Sequence, residues 1–163
     1  MQPVGSCNRL ICAVLAMLVL ITPGAAPADP LSDALVPAPA LAPQEVVRIQ
    51  LEALRVNGSD DRGIAVAFRF ASPGNKQSTG PLPRFAGMIR NGPYALMLRF
   101  TDADYAPVMV AGRFAYQKVT LTAPGEVPVT YVFYLSRQET GGPLSECWMT
   151  DAVSIVPYQG EQA

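Results

Sequence analysis

The stretch FAYQKVTLTAPGEVPVTYVFYLSRQ, Phe114 to Gln138, decides the fold. Its first run places Ala115, Gln117, Val119 and Leu121 on one face at a period of two. Its second run does the same for Val127, Val129, Tyr131, Phe133, Leu135 and Arg137. Two alternating runs joined by Ala123-Pro124-Gly125-Glu126 predict an antiparallel hairpin. Working outward, YALMLRF, from Tyr94, and APVMV read as strands before it, and CWMTDAVSIV, Cys147 to Val156, as a strand after it. Ala111-Gly112-Arg113 is short enough for a second tight turn, while Glu139 to Glu146 is a longer Gly-Pro connection. The expectation is a meander of four to five strands.

Helices precede it. In QEVVRIQLEALRV, Gln44 to Val56, the charges Glu45, Arg48, Glu52 and Arg55 recur at helical spacing and form a solvated stripe. The opposite arc carries Val46, Val47, Leu51 and Leu54, with Gln50 near its middle, so a carboxamide is directed toward the core. A second helix is expected from about Asp60 to Ala71, burying Ile64 and Phe68. NKQSTGPLP reads as an ordinary connection to a third helix, Pro83 to Asn91, which buries Phe85, Met88 and Ile89. Helices first and strands afterward predict an α+β domain, three N-terminal helices packed on one face of a curved antiparallel sheet.

The chain is 163 residues long, one domain's worth. Its N-terminus has one arginine and no acid, then the apolar run Leu10 to Ile21, then Ala26-Pro27-Ala28. This is the pattern of a secretory signal peptide over residues 1–28, cleaved after Ala28. The apolar run falls short of the roughly 17 to 25 residues that span a bilayer, which argues against a retained anchor. Export to a periplasm, extracellular space or equivalent lumen is therefore expected, without integral membrane attachment after cleavage. Residues 29–43, rich in proline and alanine, read as a flexible linker, residues 44–158 as the folded domain and 159–163 as a tail.

Composition removes several chemistries. Cleavage would take Arg9 from the twelve basic residues and none from the thirteen acids, shifting the net charge from −1 to −2. Nucleic acid is not an expected partner. The chain has no histidine, so Ser-His-Asp and Cys-His nucleophile systems and histidine-ligated metals are excluded. Only Cys147 would survive processing, so no internal disulfide can form. No dinucleotide or phosphate loop is present, and neither cofactor nor metal is expected.

QLEAL (Gln50 to Leu54), FASPGNKQ (Phe70 to Gln77), Arg84-Phe85 with Met88-Ile89, YLSRQ (Tyr134 to Gln138) and CWMTD (Cys147 to Asp151) resemble the family known as domain of unknown function 4864. The resemblance covers about Glu45 to Val156. It implies a place in the nuclear-transport-factor-2-like, cystatin-like cone superfamily, in which helices close over a concave sheet and leave a pocket. It implies no activity, because that cone hosts isomerases, dehydratases, binding modules and dimeric scaffolds alike.

A site must therefore be sought in polar side chains on apolar faces. Gln50, Gln117, Arg137 and Asp151 satisfy that criterion and are the candidate ligand pocket. The competing arrangement is a buried network of Arg137 with Asp151 that closes the mouth of the cone. The face of the last strand decides between them, because either Cys147, Met149, Asp151, Val153 and Ile155 or Trp148, Thr150, Ala152 and Val156 could form the inner set.

The favoured reading is a non-catalytic domain that binds a small molecule or a partner protein in this pocket. An enzyme of the isomerase or dehydratase type would use Asp151 as general base, with Tyr116, Tyr131 or Tyr134 as proton donor. A scaffold would instead pair through the sheet face, as a homodimer or with another protein, over Phe114, Tyr116 and Trp148. An enclosed void smaller than about 300 Å³ would argue against a ligand.

Overall fold

The computed structural model describes residues 29–156. The signal segment 1–28 with its Ala28 site, and the tail 159–163, lie outside the described residues. Among the described residues no helix is long and apolar enough to cross a membrane. The chain is α+β, with four helices, α1 (Pro43–Arg55), α2 (Arg62–Arg69), α3 (Pro73–Thr79) and α4 (Leu82–Arg90), followed by a 3₁₀ turn (Ala95–Leu98). Five strands follow: β1 (Asp102–Tyr105), β2 (Met109–Ala111), β3 (Phe114–Thr122), β4 (Val129–Arg137) and β5 (Trp148–Val156).

The sheet is antiparallel throughout, in the order β1-β3-β4-β5, with the short β2 also paired to β3. The β3–β4 hairpin closes with Tyr116 opposite Tyr134 and Leu121 opposite Val129, as the alternation of the two runs requires. Val119, Leu121, Tyr131, Phe133 and Leu135 face the helices and are buried. Against them lie Val46, Val47, Leu51 and Leu54 of α1 and Ile64, Val66 and Ala67 of α2.

Helix α1 starts where Pro43 supplies a preset backbone angle and Glu45 Oε2 accepts the Ala42 N–H at 2.6 Å. Its charged stripe stays wet: Arg55 pairs with Glu52 at 2.6 Å, and the Arg48 guanidinium lies over the Tyr105 ring. Asn57, just past α1, accepts the Ile64 N–H at 3.0 Å and so caps the first turn of α2.

Two expectations need correction. There are four α-helices rather than three, because Pro73 to Thr79 coils into α3 with the Ser72 hydroxyl accepting the Asn75 N–H at 3.2 Å. None of its side chains is buried, so it leaves no hydrophobic period to detect. YALMLRF is a 3₁₀ turn and not a strand, with Leu96, Met97 and Phe100 buried. The first strand is instead the polar DADY, held by its pairing with Thr122 to Val119.

Of the stretch 29–43 expected to be a flexible linker, Pro43 opens α1 and residues 29–42 lie along α2 in this structure. Arg62 donates to the Leu31 carbonyl at 3.0 Å and Arg69 to the Leu35 carbonyl at 2.7 Å, while Leu35 and Leu41 pack on the core.

Helices α1 and α2 approach closely at Gly63, where an added Cβ would strike the Ala53 carbonyl and the Asn57 side chain. Gly63→Ala is expected to cost about 1–3 kcal/mol, read as a lower urea midpoint. The Tyr131 hydroxyl donates to the Pro93 carbonyl at 2.7 Å, and burial pushes its phenol up to about 12 from the ordinary value of 10.0. The folded state therefore holds this proton more tightly than the unfolded chain does. The corresponding stability is complete below pH 10 and is lost as pH rises toward 12. A thermal midpoint that falls between pH 10 and 12, with a flatter profile in Tyr131→Phe, is the expected outcome.

Candidate functional site

A partly open cavity of about 290 Å³ lies between the helix layer and the β4–β5 side of the sheet. Its walls are mostly apolar, with Leu54 from α1, Phe85, Met88 and Ile89 from α4, and Phe133 from β4. Its polar groups come from α3, as Asn75, Ser78 and Thr79, and from β5, as Thr150 and Asp151. The volume falls just below the usual range for small-molecule sites, but the cavity is partly open, so the criterion for an enclosed void does not count against a ligand.

Gln50 forms part of the wall and is only 5% exposed. Its amide N–H donates to the Ala67 carbonyl at 2.9 Å, and its oxygen accepts the Thr150 hydroxyl at 2.6 Å. One carboxamide thereby joins α1, α2 and β5. The main chain of Thr150 is held as firmly: its N–H donates to the Phe70 carbonyl at 3.0 Å, and its carbonyl accepts the Ser72 N–H at 2.9 Å and the Asn75 amide at 3.0 Å. The α2–α3 connection is thus bridged in parallel to the edge of β5.

Asp151 also lines the cavity, from an irregular position. Leu135 pairs with Thr150 and Tyr134 with Ala152, so Asp151 is an extra residue in a β-bulge. The bulge answers the question of the last strand's face, since each alternative describes half of the strand. Before it, Trp148 and Thr150 point toward the helices; after it, Val153 and Ile155 do. Asp151 is half-buried and has neither hydrogen-bond nor ion-pair partner for its carboxylate among the described residues.

The structure does not bring the four candidates together. Gln117 is 4% exposed but lies away from the cavity, donating to the Ala106 carbonyl at 2.9 Å while its amide oxygen has no partner among the described residues. Arg137 stands at the exposed end of β4, paired with Glu146 at 3.0 Å. It borders a separate surface hollow with Arg113 and Glu139. The network of Arg137 with Asp151 is therefore absent too, because a guanidinium at the sheet's end finds a nearer carboxylate in the following loop.

The tyrosines proposed as proton donors are also elsewhere. Tyr116 and Tyr134 are exposed on the outer face, and the Tyr131 hydroxyl is engaged by Pro93. Trp148 leaves the expected outer patch for the core, at 8% exposure, while Phe114 remains 60% exposed beside Met109, Val110, Tyr116 and Tyr134. These outer residues frame a further hollow of about 250 Å³, which Asp151 also borders.

Tyr94, Met97 and the α3 side chains belong to the cavity and escaped the sequence reading. Tyr94 and Met97 were hidden in a run assigned to a strand. The pair Ser72-Pro73 was the available signal for α3. The Tyr94 hydroxyl donates to the Val153 carbonyl at 3.0 Å, tying two lining residues together just past the bulge. Among the described residues no group of three or more cysteines or carboxylates is placed to hold a metal ion. Cys147 is buried, and burial pushes its thiol up from the ordinary value.

Thr150→Val leaves the Gln50 oxygen buried without its donor and is expected to cost about 1–3 kcal/mol. Gln50→Leu should cost a similar amount. The double variant should lose less than the sum of the two, measured as a double-mutant cycle in urea.

No curated protein and no solved structure matches the chain. Residues 40–163 match the family described as domain of unknown function (DUF4864), and the chain belongs to that family.

Proposed function

We propose that the chain is an exported, non-catalytic binding domain whose cavity holds a small, mostly apolar molecule. The observation that carries this reading is the 290 Å³ hollow itself, apolar along α4 and β4 and polar along α3 and β5. Helices laid over one face of an antiparallel sheet are also the general plan of the nuclear-transport-factor-2-like cone, and we group the domain there on that resemblance. Binding is preferred to catalysis because no tyrosine of the sheet lines the cavity with Asp151: Tyr131 is engaged by Pro93, and Tyr116 and Tyr134 meet Asp151 only at the outer hollow. Export follows from the segment 1–28.

A second reading, assembly through the sheet as a homodimer or with a protein partner, is favoured by the exposed row Met109, Tyr116 and Tyr134, which β2–β3 and β3–β4 pairing set side by side.

The test is a thermal-shift screen of the purified protein against small metabolites, with native mass spectrometry on the same sample. A ligand present at a hundred times its dissociation constant stabilises by about 2.7 kcal/mol. Hits should lose their effect in Ser78→Phe, which places a ring at the cavity rim on a helix without buried side chains. Hits that survive this variant, or a dimer with no ligand response, would replace the cavity reading with the assembly reading.

A further inference from the structure

Resting on the cavity reading above, we propose that the molecule it takes is a small hydrophobic amine, bound with its ammonium group against Asp151. Four hydroxyls line the cavity, and each has committed its hydrogen: Ser78 to the Gly74 carbonyl at 3.1 Å, Thr79 to the Asn75 carbonyl at 2.8 Å, Tyr94 to the Val153 carbonyl at 3.0 Å and Thr150 to Gln50 at 2.6 Å. What these groups offer a guest is lone pairs. The amides of Gln50 and Asn75 have each placed one N–H on a main-chain carbonyl, which leaves one hydrogen apiece. The balance of the polar lining is therefore toward acceptors.

Charge points the same way. Asp151 is the one charged residue among the described residues that line the cavity. Two basic side chains of the helices around the cavity are engaged elsewhere: Lys76 donates to the Arg69 carbonyl at 3.0 Å and sits over the Phe68 ring, and Arg69 is held by the Leu35 carbonyl and Asp33. A half-buried carboxylate without a partner among the described residues can accept a charge-assisted hydrogen bond from a bound cation. The aromatic rings of Phe85, Phe133 and Tyr94 and the thioethers of Met88 and Met97 suit the hydrocarbon body of such a guest and also tolerate its charge. An anionic guest would meet a carboxylate and oxygen lone pairs and gain little. A neutral one would leave Asp151 as it is.

The bulge supplies the means. In a regular strand, residue 151 would take its turn in the ladder and fall opposite a residue of β4. As an extra residue between the Leu135–Thr150 and Tyr134–Ala152 pairs, Asp151 is freed from the ladder and lines the cavity.

The experiment is calorimetric titration of the purified protein with phenethylammonium, 2-phenylethanol and phenylacetate, which differ in charge but hardly in shape. Amide chemical-shift mapping locates each site. The amine should bind, perturb α3, α4 and β5, and lose about tenfold or more in affinity in Asp151→Asn. The alcohol should bind more weakly in the wild type and be unaffected by that variant, and phenylacetate should bind least. An alcohol that binds as well as the amine overturns the amine assignment and leaves the cavity reading standing. So does Asp151→Asn with unchanged amine affinity. Absence of binding by all three removes the cavity reading and the amine with it. Perturbations confined to β2 and β3, weakened by Tyr134→Ala, would move the amine to the outer hollow and likewise overturn the proposal. The comparison of the three probes on the wild type does not depend on how well Asp151→Asn folds.

Discussion

The buried amide of Gln50 is the constraint on which the rest of this structure depends. Apolar side chains hold α1 against the sheet, but such contacts are non-directional and would tolerate a helix that slid by part of a turn. A carboxamide shut away from water does not tolerate it, since each of its unmet groups costs about 1–3 kcal/mol. Gln50 meets that demand with the Ala67 carbonyl on one side and the Thr150 hydroxyl on the other. The positions of α1, α2 and β5 are thereby set relative to one another. The strap from Phe70 to Ser72 on the edge of β5 follows from the same junction, since it grips the main chain of the residue whose hydroxyl Gln50 accepts. The cavity is the space that remains once α3 has left this strap and α4 has packed back on Phe68 through Phe85.

Immediately beyond the junction, β5 gains one residue. The bulge at Asp151 lets the strand serve two environments in succession. From Trp148 to Thr150 the residues on both faces are buried. After Ala152 the strand alternates between a half-buried and an exposed face. A regular strand with Trp148 and Thr150 inward would have turned Val153 and Ile155 to solvent. The extra residue restores them to the core and leaves a carboxylate at the point of change.

The sheet therefore has two unlike sides. The inner side is filled by Val119, Leu121, Tyr131 and Leu135 except where the cavity opens. The outer side carries Met109, Phe114, Tyr116 and Tyr134 in contact with solvent. Asp151 borders hollows on both, which is why its surroundings bear on the ligand reading and the assembly reading alike.

Periodicity was sufficient for the elements that bury one face. The β3–β4 hairpin, α1 with Gln50 turned inward, and α4 around Phe85 and Ile89 were all legible, because the spacing of apolar residues is a direct record of which side meets the core. Two of the four candidate side chains, Gln50 and Asp151, do line the cavity, and Gln117 is buried as its face required. What periodicity could not supply was anything that depends on distance through space. Helix α3 buries nothing and so has no pattern; the bulge changes the phase of β5 without changing its composition; Arg137 took Glu146 rather than Asp151 because a loop of the folded chain brought that carboxylate closer. The amino-acid sequence by itself determined the α+β order, the inward faces of the regular elements and the lack of imidazole chemistry. Only the tertiary structure decided which polar groups meet, because hydrogen bonds and ion pairs are settled by short-range geometry between segments far apart along the chain.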